Sequence, residues 1–161
     1  DAGSRLLIEY IKVDEDDVCL DLGCGYGYVG IVIGKSFPGN MITFVDINQR
    51  AIDLTNVNAM RNFLGNKRIY DLDFLDEKQR ADISGEKYGY VLFNPPIKVG
   101  KKIMEQMFLI SLEMLDAKGK LYTVIKTSLG AKSWQIWFEE RPSVELSVFK
   151  KGGYRVFAVN K

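Results

Sequence analysis

The sequence predicts an α/β fold, and three observations predict it. Short runs rich in Val, Ile, Leu, Phe and Tyr alternate with stretches whose apolar residues recur at helical spacing, the pattern of βα units on a largely parallel sheet. A turn dense in glycine, from Gly23 to Gly30, joins the first strand to the helix that follows it. The last two strands are separated only by Lys150, Lys151, Gly152 and Gly153, too short a link for a crossover, so they form an antiparallel hairpin. The result is a Rossmann-like sheet of seven strands, mostly parallel, with helices on both faces. Ligands are then expected at the carboxyl ends of its strands.

In chain order, Ser4 to Ile11 reads as an opening helix that caps the sheet, because Leu7, Ile8 and Ile11 recur at helical spacing. Strands are expected at Asp17 to Leu22, Met41 to Asp46, Lys67 to Asp71, Tyr88 to Phe93 and Lys120 to Lys126, and the hairpin at Val144 to Phe149 and Tyr154 to Val159. Helices are expected between the strands at Tyr28 to Ser36, Gln49 to Phe63, Glu77 to Ile83 and Lys102 to Leu115, with Ala131 to Glu140 after the fifth strand. No repeat or low-complexity segment interrupts the 161 residues, and 47% hydrophobic content suffices for the core of a single domain over residues 1–161.

Composition removes several function classes. Twenty-two basic residues against 21 acidic ones leave a net charge of +1, so any surface for a polyanion has to be local. The chain has no histidine, which excludes Ser/His/Asp and Cys/His nucleophile systems and the two-histidine zinc helix. Cys19 and Cys24 match neither a disulfide framework nor a zinc ligand set, so no metal is expected and a reducing, cytoplasmic setting is. No apolar run approaches the roughly 20 residues of a membrane span, and the first residues lack a signal peptide's charged and apolar regions, so a soluble protein without a membrane partner is expected. The start at Asp1, without Met, suggests that further residues precede it.

The glycine turn reads Asp21, Leu22, Gly23, Cys24, Gly25, Tyr26, Gly27, Tyr28, Val29, Gly30. Residues 25 to 30 also satisfy the G-x-G-x-x-G dinucleotide pattern, so two cofactor classes compete. Asp21 discriminates between them: a carboxylate at the strand end repels a pyrophosphate and attracts an ammonium, which S-adenosylmethionine carries. Asp46, closing the second strand ahead of Ile47 and Asn48, is placed to accept hydrogen bonds from both hydroxyls of a ribose. Asp73 and Phe74, after the third strand, could hold an adenine amino group and cover its ring. Cys24 has no base near it in sequence and reads as a small side chain in a tight turn.

The fourth strand runs into Asn94, Pro95, Pro96 and Ile97. The prolines fix their own torsions and restrict the residue before each, which presents the Asn94 side-chain oxygen and the Pro95 carbonyl in a stiff geometry. Two such acceptors can hold both protons of a flat, delocalised amino group, aim its lone pair at a methyl carbon and stabilise positive charge as it grows.

With these loops placed, the sequence resembles class I S-adenosylmethionine-dependent methyltransferases. It is similar in particular to the small-domain family that includes small-subunit ribosomal RNA methyltransferase C. The resemblance covers nearly the whole chain and rests on Gly3 to Leu7, Asp21 to Gly30, Asp46 to Asn48, Asn94 to Lys102, and Gly130 with Ala131. It implies a cofactor site lined by Asp21, Gly23, Gly25, Asp46 and Asp73, to which the turn adds Cys24, Tyr26 and Gly27 and the later loops Ile47, Phe74 and Asn94. It implies that Asn94 grips the target amine, with Pro95, Pro96 and Ile97 in the catalytic loop, and that the target is a guanine amine of ribosomal RNA.

Lys98, Lys101 and Lys102 follow that loop, and Lys126 and Lys132 flank the loop after the fifth strand. They form an expected basic rim for RNA phosphates, with Tyr26, Tyr28 or Trp134 available to stack on an extruded base. Three readings stay open on sequence: an RNA amino-methyltransferase, a methyltransferase of a protein glutamine amide, and a nicotinamide- or nucleotide-binding module. The partner expected is ribosomal RNA or a ribosomal particle, and a homodimer or upstream residues could help to select the site.

Overall fold

The computed structural model describes residues 1–96 and 98–161; Ile97 lies outside the described residues. The strands are β1 (Val18–Leu22), β2 (Met41–Asp46), β3 (Lys67–Asp71), β4 (Tyr88–Phe93), β5 (Leu115–Lys126), β6 (Glu145–Lys151) and β7 (Tyr154–Asn160). They form one sheet in the order β3-β2-β1-β4-β5-β7-β6. The first five pair in parallel, and β7 runs antiparallel to both β5 and β6.

Alternation along the central strands divides the core in two, because successive side chains of a strand point to opposite faces. Cys19, Tyr90, Leu92, Tyr122 and Val124 face α1 (Ala2–Tyr10), α2 (Tyr28–Ser36) and α3 (Gln49–Arg61). Leu20, Leu22, Val91, Phe93, Leu121 and Ile125 face α4 (Glu77–Ser84), α5 (Lys101–Met114) and α6 (Ala131–Glu139). The second face carries an aromatic cluster in which Phe108 meets Phe93, Trp134 and Phe138 edge to face. On the first face, the hydroxyls of Tyr90 and Tyr122 reach the link between α1 and β1. Tyr122 Oη donates to the Lys12 carbonyl at 3.1 Å, and Tyr90 Oη to the Asp14 carboxylate at 2.9 Å. These bonds tie the segment after α1 to β4 and β5.

The elements fall close to where the sequence places them, with differences at their limits: α1 begins at Ala2, ahead of Ser4, and β6 continues through Lys150 and Lys151, which pair with Arg155 and Tyr154, so that only Gly152 and Gly153 turn the hairpin. β5 begins at Leu115, which pairs with Tyr88, and the register then jumps to Tyr90 opposite Lys120 while Asp116 to Gly119 bulge out. That turn-like tetrapeptide hides the start of the strand from a pattern reading. α3 ends at Arg61 instead of Phe63 because the chain reverses there. Phe63 takes a left-handed φ of 54°, and Leu64 N–H returns to the Ala59 carbonyl at 3.0 Å. Among the described residues no helix is long and apolar enough to cross a membrane.

Candidate active site

The strand order reverses between β1 and β4, the point at which open α/β sheets bind ligands. A cavity of about 1050 Å³ opens there, walled by the carboxyl ends of β1, β2, β4 and β5 and the loops after them.

The glycine loop forms one wall. Asp21, the residue before the last of β1, has only 4% of its surface exposed, and its Oδ2 accepts the Gly30 N–H at 2.8 Å. A side chain at Gly30 would collide with the Phe44 ring and bring its Cβ to 2.8 Å from Asp21 Oδ2, so the close helix–strand approach depends on glycine there. Burial pushes the Asp21 carboxyl up to about 7 from its ordinary 3.8; the Gly30 bond opposes this and the nearby Asp46 charge adds to it. No basic side chain pairs with Asp21 among the described residues.

Gly23, Cys24, Gly25 and Tyr26 line the cavity, whereas Gly27 does not. Gly27 is the buried residue before α2, with φ 84°. Burial pushes the Cys24 thiol well above its ordinary range, so it stays protonated, in keeping with a packing role. Two α3 residues the sequence reading missed hold the loop from behind. Thr55 Oγ1 donates to the Gly25 carbonyl and Asn58 Nδ2 to the Tyr26 carbonyl, both at 2.9 Å.

Asp46 is half-buried, and its two oxygens accept N–H groups of Gly25 and Asn48, each at 2.9 Å, which leaves each oxygen a further lone pair. Ile47 beside it is 68% exposed on the cavity rim. Asp73 Oδ1 accepts the Leu75 N–H at 2.9 Å. Phe74 touches the cavity but is mostly committed to the core beneath, with the Arg80 guanidinium 5.9 Å from its ring centroid.

Across the cavity, Asn94 and Pro95 are half-buried and Pro96 is exposed, and all three line it. The Asn94 amide nitrogen donates to Ser4 Oγ at 2.8 Å and to Asp1 Oδ2 at 3.2 Å. Of the anticipated basic rim, Lys101 and Lys126 line the cavity. Lys98, Lys102 and Lys132 are exposed but stand outside its wall. Trp134 lines the cavity with only 6% of its surface free, packed edge to face on Phe108 and Trp137, so it is poorly placed to stack on a base. Met104, Met107 and Tyr154 complete this side and carry no local sequence signal. No cluster of three or more His, Cys, Asp or Glu able to hold a metal occurs among the described residues.

The family model of the methyltransferase small domain matches residues 1–158, and the chain belongs to that family. It is a class I fold of S-adenosylmethionine-dependent methyltransferases. The uncharacterized protein YbxB of Bacillus subtilis is 37% identical over the whole of this chain and 79% of its own length. The ribosomal RNA small subunit methyltransferase C of Aeromonas hydrophila is 31% identical over 63% of this chain. That match spans only 28% of the relative's own length. TrmN from Thermus thermophilus shares the fold, with a TM-score of 0.75 at 18% identity over 98% of this chain and 48% of its own.

Proposed function

We propose that the chain transfers a methyl group from S-adenosylmethionine to an exocyclic amino nitrogen, guanine N2 of ribosomal RNA. The observation that carries this reading is that Asn94, at the end of β4, shares one cavity with Asp21 and Asp46, at the ends of β1 and β2. The relative named as a ribosomal RNA small subunit methyltransferase supports RNA as the substrate class.

The residues present fit the cofactor. Asp21 is a desolvated carboxylate with no cationic partner among the described residues, which is what an ammonium group stabilises. Asp46 keeps acceptor capacity for ribose hydroxyls, and Asp73 and Phe74, which line the cavity after β3, would take the adenine. When bound, S-adenosylmethionine supplies an electrophilic methyl group. The protein's part is then to place a nucleophile. The oxygens of Asn94 and Pro95 accept hydrogen bonds from the two amine N–H groups, turn the lone pair toward the donor side of the cavity, and stabilise the positive charge that develops on nitrogen. Lys101 and Lys126 attract the phosphates flanking an extruded nucleotide, with Lys98 and Lys102 extending the field outward.

The test offers methyl-labelled S-adenosylmethionine together with unmodified ribosomal RNA, ribosomal particles and a protein extract. Label in RNA that disappears with Asn94→Ala supports the reading, and label confined to protein replaces it with amide methylation of a polypeptide.

A further inference from the structure

We infer that Asp1 and Ser4 are positioning residues that fix the Asn94 carboxamide with its oxygen toward the substrate. The inference rests on Asn94 being the group that receives the target amine. Three side chains form a directed chain of hydrogen bonds. Ser4 Oγ donates to Asp1 Oδ2 at 3.4 Å, which leaves the hydroxyl lone pairs to accept from Asn94 Nδ2 at 2.8 Å. Asp1 Oδ2 accepts from the same nitrogen at 3.2 Å.

A carboxylate has no proton to give, so only one of the two orientations of the Asn94 amide can face Asp1. A flipped amide would set its oxygen against a carboxylate and turn an NH2 group toward the incoming amine, donor against donor. With both protons drawn toward Asp1 and Ser4, Asn94 has only its oxygen left to offer. Asp1 also polarises the amide, which makes that oxygen a stronger acceptor as charge grows on the substrate nitrogen.

The seat is built into the start of α1. Asp1 is the N-cap, and its Oδ1 accepts the Ser4 N–H at 2.8 Å, so one carboxylate both starts the helix and aims Asn94. Gly3 leaves room for it: a Cβ there would stand 3.1 Å from Asp1 Oδ1, a tight approach to the carboxylate that holds Asn94.

The two roles of Asp1 can be separated, because serine caps a helix about as well as aspartate but carries no charge. In the full-length protein, Asp1→Ser and Ser4→Ala are each expected to lower kcat for methylation of ribosomal RNA about tenfold. Melting temperature and affinity for S-adenosylmethionine should stay at wild-type values, and Ser4→Thr should recover most of the rate. The side-chain NH2 resonance of Asn94, identified by its absence in Asn94→Ala, should shift and lose protection from exchange in Asp1→Ser. Wild-type kcat in both variants overturns the inference and leaves the reading of Asn94 standing, provided Asn94→Ala is inactive. An unmoved resonance overturns the seat whatever the activity. An active Asn94→Ala protein overturns the reading of Asn94, and the positioning role with it.

Discussion

The two sides of the cavity hold their polar groups in different ways. On the donor side, Asp21, Asp46 and Asp73 each accept backbone N–H groups, from Gly30, from Gly25 and Asn48, and from Leu75, none more than 21 residues away in sequence. On the acceptor side, Asn94 is held by the side chains of Asp1 and Ser4, 93 and 90 residues away in sequence. Backbone-held carboxylates are fixed as soon as their strands and turns form. A group held by side chains is fixed only once α1 has docked, and single substitutions can disturb it without disturbing the fold.

The largest expected effect breaks the acceptor side alone. Asn94→Ala should lower the single-turnover rate of methyl transfer by about 10²–10³-fold, the range seen when one preorganised group is removed from a reacting centre. Calorimetric affinity for S-adenosylmethionine should stay within a few-fold. A large loss of cofactor affinity would show that the two sides are one unit.

The next prediction addresses the donor side. Asp21→Asn keeps an oxygen for the Gly30 N–H but removes the charge, so cofactor affinity measured by calorimetry should fall about 10–100-fold. The sign with pH follows from the raised carboxyl. Between 3.8 and about 7, the free folded protein holds a proton that the unfolded chain has released, so its stability declines as pH rises through that window. Above pH 7 the free Asp21→Asn protein should therefore melt higher than the wild type. An ammonium draws the carboxyl back down, so wild-type cofactor affinity should strengthen up to about pH 7 with proton release, and the variant should lack that dependence.

A steric change at the same wall is smaller. Gly30→Ala should lower unfolding free energy by about 1–3 kcal/mol in denaturant titration, since its Cβ would collide with the buried Phe44 ring and stand 2.8 Å from the buried Asp21 carboxylate, both of which would have to shift. Smallest are the rim charges. Lys101→Glu and Lys126→Glu should each weaken RNA binding several-fold at low salt, flatten its salt dependence by about one counterion, and leave cofactor affinity unchanged.

The same contrast explains what the sequence made legible. Asp21, Gly30 and Asp46 sit at fixed offsets from strand ends, so a strand followed by a glycine turn locates them without tertiary knowledge. Strand and helix limits were nearly as plain, with the larger differences where Asp116 to Gly119 bulge, where Phe63 turns left-handed, at the start of α1, and at Lys150 and Lys151, which extend β6 instead of linking the hairpin. Gly27, grouped with the cofactor residues on pattern, proves to be the φ 84° residue that starts α2, behind the cavity wall. Asp1, Ser4 and Tyr154 carry no local signal for the cavity, because each reaches it through the packing of α1 on β5 or of β7 on β5. Gly3 to Leu7 resembled the family, yet nothing in their spacing named Asn94 as the partner. The same limit applies to the lysines: sequence grouped them, and the fold brought two, Lys101 and Lys126, to the cavity wall.

The most direct test of the central claim is the identity of the methylated nucleoside. Ribosomal RNA lacking the modification would be treated with the protein and S-adenosylmethionine, digested to nucleosides and analysed by mass spectrometry against standards. The account predicts N2-methylguanosine, absent when Asn94→Ala replaces the wild type. A ribose- or carbon-methylated nucleoside would contradict it, because neither acceptor presents the pair of amine protons that Asn94 and Pro95 are proposed to hold.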